Sequence, residues 1–280
     1  MARNDVVISV SELAELIDGT TPVTILDVRW RLDQPDGRAD HDSGHIPGAV
    51  YVDLDSELSD HSVTGRGRHP LPSGDNLQAA ARRWGVRTGV PVVVYDDWNR
   101  AGSARAWWVL GAAGISDVRV LDGGLEAWVA AGHDLVKGLE APVEGDVVVA
   151  HSDLYSGALP TLTAEQVSDF AGVLVDARAP ERYRGEVEPV DAVAGHIPGA
   201  GNAPSTATLD NGFFRDAAEL RELFAGAGAD GTAPVGVYCG SGVTAAVDLV
   251  ALKIADVDAS LFPGSWSQWS SDSENPVATG

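Results

Sequence analysis

The sequence predicts an α/β protein built from two similar halves, each a mainly parallel sheet flanked by helices. Three observations carry this reading. The hexapeptide G-H-I-P-G-A occurs twice, at Gly44–Ala49 and at Gly195–Ala200. Short β-branched runs alternate with helix-period stretches in both halves, the pattern of βα units. One run, Val235–Tyr238, leads into the single cysteine, Cys239, then G-S-G and a helix-period stretch, the order of a buried strand, a loop and a helix.

The halves correspond landmark by landmark. V-T-I-L-D-V at Val23–Val28 precedes the first hexapeptide and V-L-V-D-A at Val173–Ala177 the second; each carries an aspartate with an arginine soon after, Arg29 or Arg178. V-V-V-Y (Val92–Tyr95) follows in one half and V-G-V-Y (Val235–Tyr238) in the other. Tryptophan-bearing segments, Leu121–Trp128 and Leu261–Trp269, close both. A repeat this long is a duplicated domain rather than a solenoid unit. The expected division is a first domain over 1–135, a linker over 136–157 rich in Gly, Pro and acidic residues, and a second domain over 158–280.

Helices are expected at Ser11–Ile17 and Ala164–Phe170, the second capped by Thr161 or Thr163. Leu77–Trp84 and Ala217–Phe224 read as further amphipathic helices, and Ala101–Gly111 and Val243–Val257 as the helices after the equivalent loops. The repeated hexapeptide reads as a structural turn, with His45 and His196 locking the loop and Pro47 and Pro198 fixing the backbone. Trp107, Trp108, Trp128, Trp266 and Trp269 read as core and interface packing.

Composition narrows the function. At 280 residues with 44% hydrophobic content, the chain suits two globular domains. A net charge of −22 argues against nucleic acid or an anionic membrane as partner. One cysteine excludes an intramolecular disulfide and suits a reducing compartment. No run approaches the ~18 apolar residues of a membrane span. Met1–Val10 holds Arg3 and Asp5 and no apolar stretch of signal-peptide length, so the cytoplasm is the expected location. No metal site and no cofactor are expected: the seven histidines lack ligand spacing, and His41 and His45 read as loop residues.

Cys239 is the candidate reactive group. A strand–loop–helix turn aims backbone N–H groups and a helix N-terminus at whatever fills the loop, which favours an anion such as a thiolate. A lone cysteine is often only a small buried hydrophobe. Core packing, however, does not require G-S-G at the carboxyl end of a strand, where open α/β sheets place ligands. Gly240 and Gly242 allow close backbone approach.

On these residues the chain resembles the tandem-domain rhodanese sulfurtransferases over nearly its whole length. The carriers are D-x-R with G-H-I-P-G-A in both halves, the segment D-G-G-L-E-A-W and the cysteine loop. The loop C-G-S-G-V-T-A at Cys239–Ala245 resembles that of the 3-mercaptopyruvate sulfurtransferases. Thiosulfate-preferring members carry basic residues beside the cysteine, where this chain has Gly240 and Ser241.

The resemblance implies a Cys239 persulfide, loaded from 3-mercaptopyruvate with release of pyruvate and discharged to cyanide or a thiol such as thioredoxin, without a cofactor. It implies that Gly240, Gly242, Val243 and Thr244 form the substrate loop, and that Ser241, Asp55 and His69 handle protons. Arg184 matches a substrate arginine of the family. A second would follow E-x-E-P at Glu186–Pro189, where Val190 stands, so either Arg182, Arg66 or Arg68 substitutes or the donor preference has drifted. Asp96 occupies the cysteine position in the first half and makes that half catalytically inactive. The alternatives are a thiosulfate sulfurtransferase with the same persulfide chemistry and a non-enzymatic sulfur carrier or regulatory module, which pyruvate turnover would eliminate. A cysteine-dependent phosphatase wants C-x5-R, and Ala245 stands at the arginine position.

Overall fold

The β-branched runs become strands in both halves of the computed structural model, which describes residues 3–280. Met1 and Ala2, where the predicted first domain and the N-terminal stretch begin, lie outside the described residues. The first sheet contains β1 (Val7–Ile8), β2 (Thr24–Asp27), β3 (Ala49–Tyr51), β4 (Val92–Tyr95) and β5 (Val118–Leu121). Their order is β1-β5-β4-β2-β3, and every pairing is parallel. β2 and β4, buried at every residue, lie inside the sheet, as expected for strands covered on both faces.

The second sheet contains β6 (Val173–Asp176), β7 (Gly201–Asn202), β10 (Val235–Tyr238) and β11 (Ala259–Leu261), in the parallel order β11-β10-β6-β7. Thr161 makes a parallel bridge to Leu261 at the place that β1 takes in the first half. A short antiparallel hairpin, β8 (Leu209–Asp210) with β9 (Phe213–Phe214), has no signal in the repeat.

The helices of the first half are α1 (Val10–Asp18), α2 (Arg38–Ser43), α3 (Leu54–Glu57), α4 (Gly74–Arg83), α5 (Ala101–Ala112) and α6 (Gly124–Ala130). Those of the second are α7 (Ala164–Ser168), α8 (Pro180–Tyr183), α9 (Ala217–Gly226), α10 (Ala245–Ile254) and α11 (Ser265–Trp269). Capping boxes start α1 at Ser9 and α7 at Thr163. The helix read over Val243–Val257 is shorter, because Thr244 is its cap and Asp256 turns left-handed just after its end. His41, read as loop, lies on α2.

The repeated landmarks bind one another. Asp27 at the end of β2 pairs with Arg29, whose Nη2 donates to the Gly44 carbonyl at 2.6 Å. His41 Nδ1 and the Tyr95 hydroxyl also contact Asp27, and the Ile46 N–H donates to Tyr95. The second half repeats this. Arg178 pairs with Asp176 at 2.6 Å and donates to the Gly195 carbonyl, and the Ile197 N–H donates to the Tyr238 hydroxyl. His45 and His196 each place Nδ1 on a backbone carbonyl. The hexapeptides are thus turns clamped by buried ion pairs. Such pairs specify geometry, since desolvation offsets much of their attraction.

One hydrophobic core spans both halves, with Trp108, Val109 and Val28 of the first in the same cluster as Val175, Val247 and Val250 of the second. Helices α5 and α10 pack face to face across it. The segment 136–157 is docked rather than loose. Val136 bridges His45, Val147 and Leu154 are buried, and backbone bonds join Gly145 to Arg82 and Gly74 to Ser152. Its few apolar residues find the first half's surface despite a loop-like composition.

Candidate active site

Cys239 follows β10 directly and sits beneath the surface, 1% exposed. Its N–H donates to Ser265 Oγ at 3.1 Å, and its carbonyl accepts from the Trp266 N–H. The Gly242 N–H donates to Sγ at 3.2 Å. Gly242 has φ +78°, and a Cβ there would lie 2.4 Å from the Pro263 carbonyl oxygen, so only glycine closes this turn. Val243 is buried, and Thr244 caps α10, a helix of ten residues whose N-terminus borders the loop.

The first half shows what such a loop can hold. Asp96 follows β4 as Cys239 follows β10, and its carboxylate accepts N–H bonds from Trp98, Arg100 and Ser103 at 3.0–3.2 Å. The Ser103 hydroxyl adds a bond at 2.6 Å. The loop is therefore an anion nest. In the first half it is permanently filled by a group that cannot carry sulfur.

Ser241, His69 and Asp55 meet across the two halves. His69 Nδ1 lies 2.8 Å from Ser241 Oγ, and Nε2 lies 3.3 Å from Asp55 Oδ1. The indole N–H of Trp30 donates to the same Asp55 oxygen at 3.0 Å. The hydrogen bond from His69 holds the Asp55 carboxyl below its ordinary range, so Asp55 is an acceptor. Burial pushes His69 below the usual imidazole value, outweighing Asp55, and the nearby Arg105 charge adds to the depression. A neutral ring facing a carboxylate carries its proton on Nε2 and leaves Nδ1 to accept from the Ser241 hydroxyl.

Two arginines lie over the loop. A Cβ on Gly240 would come 3.2 Å from Arg68 Nη2 and 3.6 Å from both terminal nitrogens of Arg182. Arg182 pairs with Glu188 at 2.6 Å, and Arg68 pairs with Asp191. Burial raises Glu188, but bonds from Arg182 and the N–H groups of Asp191 and Val190 hold it below the usual carboxylate range. Burial raises Asp191 despite Arg68.

Arg184 is not brought to the loop. It stands at the C-cap of α8, and its guanidinium reaches out to the exposed Glu186 at 2.7 Å. The two-residue offset on a helix turns its side chain away from the direction of Arg182. Arg66 stacks on Tyr155 at 4.6 Å.

Sequence reasoning missed two buried groups beside the cysteine. Arg105, on α5, donates to the carbonyls of Leu58, His69 and Gly242, and burial lowers its pKa to about 10. It therefore stays charged at neutral pH and ties the His69 segment to the cysteine loop. Asp248, on α10, is fully buried with neither carboxylate oxygen hydrogen-bonded. Burial raises it well above the ordinary value, and the neighbouring Cys239 and Asp176 add to this. The signal was a single charge within an otherwise apolar helical run: A-R-A-W-W in one helix and V-D-L-V in the other. A cavity of about 960 Å³ between Trp107, Leu159, Leu249 and Val257 contains none of these residues.

Comparison with known proteins agrees with this architecture. Residues 9–131 and 160–272 each match the rhodanese-like domain family. SseB of Mycobacterium tuberculosis, provisionally named a thiosulfate sulfurtransferase, is 60% identical over 280 residues, covering 100% of this chain and 99% of SseB. The 3-mercaptopyruvate sulfurtransferase of Escherichia coli K12 is 36% identical over 272 residues, 95% of each chain. The crystal structure of the 3-mercaptopyruvate sulfotransferase SseA from Escherichia coli superposes with a TM-score of 0.81 at 33% identity, covering 93% of this chain and 98% of SseA. The chain belongs to the rhodanese family, with two rhodanese-like domains in tandem. It is a sulfurtransferase, and its substrates are accordingly a sulfur donor and a sulfur acceptor. Among the described residues no helix is long and apolar enough to cross a membrane.

Proposed function

We propose that this protein moves a sulfane sulfur from 3-mercaptopyruvate, through a Cys239 persulfide, to a thiol acceptor, with release of pyruvate. The observation that carries the choice of donor is the Asp55–His69–Ser241 line ending at the cysteine loop. Transfer from a mercaptan must move a proton. The Cys239 thiolate forms a bond to the donor sulfur, the carbon–sulfur pair stays on C3 as the enolate, and the thiol proton has to leave sulfur and reach that carbon. Ser241 with His69 as acceptor supplies such a route. Thiosulfate needs no such relay, since sulfite departs with the bonding pair and no proton.

The remaining groups fit this reading. The Gly242 N–H donates to the sulfur, and with the main-chain N–H groups of Gly240, Val243 and Thr244 the loop would serve a thiolate or persulfide as an anion nest. Arg182 and Arg68 offer planar donors to the donor's carboxylate and ketone. Val190 leaves the E-x-E-P stretch without an arginine, and Arg68 of the first half stands in that role. A persulfide discharged to a second thiol is a ping-pong scheme with a covalent intermediate. A reduced thioredoxin in the cytoplasm suits it as acceptor, since a chain with one cysteine and no disulfide fits a reducing compartment.

A second reading keeps the persulfide and takes thiosulfate as donor. The two arginines over the cysteine loop, Arg68 and Arg182, and the 60% identity to SseB favour it. Rates of persulfide formation from the two donors at equal concentration decide between the readings. Faster loading from 3-mercaptopyruvate supports the first; faster loading from thiosulfate overturns it.

A further inference from the structure

We propose that Asp55, His61 and His69 form a binding site for a divalent transition cation of the zinc type, and that filling it reverses the hydrogen bond between His69 and Ser241, so that His69 no longer accepts the serine proton. One ligand atom from each of the three residues lies within 4.8 Å of the other two. The rings of His61 and His69 approach to 5.7 Å between centroids at 65°, and Asp55 Oδ1 is already 3.3 Å from His69 Nε2. Around zinc, ligand atoms at ~2.0–2.1 Å from the metal stand roughly 3.4 Å apart. Closing the set around a metal therefore takes a shift of at most about 1.4 Å, and His61, the exposed member of the three, is the one placed to make it. Two imidazoles and a carboxylate suit zinc, cobalt or nickel rather than magnesium or calcium.

Access and anchoring are present. Asp55 and His61 line a cavity of about 440 Å³ together with Ser59, Asp60 and Asn76, which opens the site to solvent and leaves room for a water ligand. His69 is buried and fixed by Ser241 on its far nitrogen, and Asp55 is oriented by Trp30. Such supports fix ligand orientation in metal sites.

A cation on His69 Nε2 displaces the proton that Asp55 accepts. The neutral ring then holds its single proton on Nδ1, so the nitrogen facing Ser241 becomes a donor and the hydroxyl loses its acceptor. The same histidine cannot hold the metal and receive the serine proton. This consequence rests on the proton-relay reading above; the binding site itself does not.

Zinc titration calorimetry on the full chain carrying Cys239→Ser, which removes the thiol as a competing ligand, tests the site. One zinc per chain is expected, with affinity at least about tenfold weaker after His61→Ala is added. Binding that is absent, or unchanged by His61→Ala, overturns the proposal. The consequence is read separately, on enzyme with Cys239 intact, loaded with zinc and freed of excess metal before mixing with donor. Persulfide formation from 3-mercaptopyruvate should slow about tenfold or more, loading from thiosulfate should not, and His61→Ala should abolish the difference. Equal slowing with both donors would mean metal on the thiol and overturn the consequence. His61-dependent binding without any slowing upholds the site and counts against the relay.

Discussion

His69 Nδ1 lies 2.8 Å from Ser241 Oγ although the two residues are 172 positions apart and belong to different halves of the repeat. The contact makes the first half part of the site even though Asp96 fills its own loop. Arg105 reinforces the joint: from α5 it grips the carbonyls of both His69 and Gly242. In the proposed mechanism one half carries the sulfur and the other supplies side chains to it.

Ser241→Ala removes only a hydroxyl and leaves the loop backbone intact. Persulfide formation from 3-mercaptopyruvate should fall about 10²-fold, the usual worth of a positioned acid–base group. Loading from thiosulfate should stay near wild type. Stopped-flow comparison of the two donors checks this, and equal losses would remove the relay from the mechanism.

The pH profile carries a sign. His69 must be neutral to accept the serine proton, and burial lowers its pKa. The acid limb of 3-mercaptopyruvate loading should therefore fall below the ordinary imidazole value of about 6.5. The unfolded chain protonates this ring first, so its contribution to stability is present above that pH and is lost as the pH drops through it. A limb above pH 7 would contradict the assignment.

The structure separates two neighbouring arginines. Arg182→Ala should raise KM for 3-mercaptopyruvate on the order of tenfold to a hundredfold, the effect of losing a hydrogen bond to a charged group. Arg184→Ala should leave KM near wild type, because its partner Glu186 is itself exposed. Steady-state kinetics on the two variants settle which residue holds the carboxylate.

Asp248 should destabilise the fold at neutral pH. Its pKa is raised in the folded state, so stability is greatest below the unfolded value of about 3.9 and declines as pH rises above it. Asp248→Asn should accordingly unfold at higher urea than wild type at pH 7, with the gap narrowing toward pH 4. Urea midpoints at the two pH values test this.

Much of the fold was legible because it is written locally and twice. The hexapeptides, the D-x-R pairs and the V-x-V-Y strands are contiguous patterns, and the structure shows why they recur together: Arg29 and Arg178 clamp the turns at Gly44 and Gly195. The cysteine loop was legible for the same reason. The groups that reach it from afar were not. Arg105 and Asp248 signal only by being charges in apolar helices, and their proximity depends on how α5 meets α10. His61, Asp55 and His69 show no ligand spacing in sequence because a loop, not a helix, brings His61 back to the others. Arg182 and Arg184 are two residues apart, and only the turn of α8 decides which faces Gly240. The segment 136–157 read as a linker because it is rich in Gly, Pro and acidic residues, while its docking rests on Val147 and Leu154.

The most direct test of the central claim is the intact mass of the protein after incubation with 3-mercaptopyruvate and removal of small molecules. The account predicts a gain of one sulfur atom, localised to Cys239, absent from Cys239→Ser and reversed by a dithiol. A mass unchanged by 3-mercaptopyruvate and by thiosulfate, or a gain that survives Cys239→Ser, would contradict it.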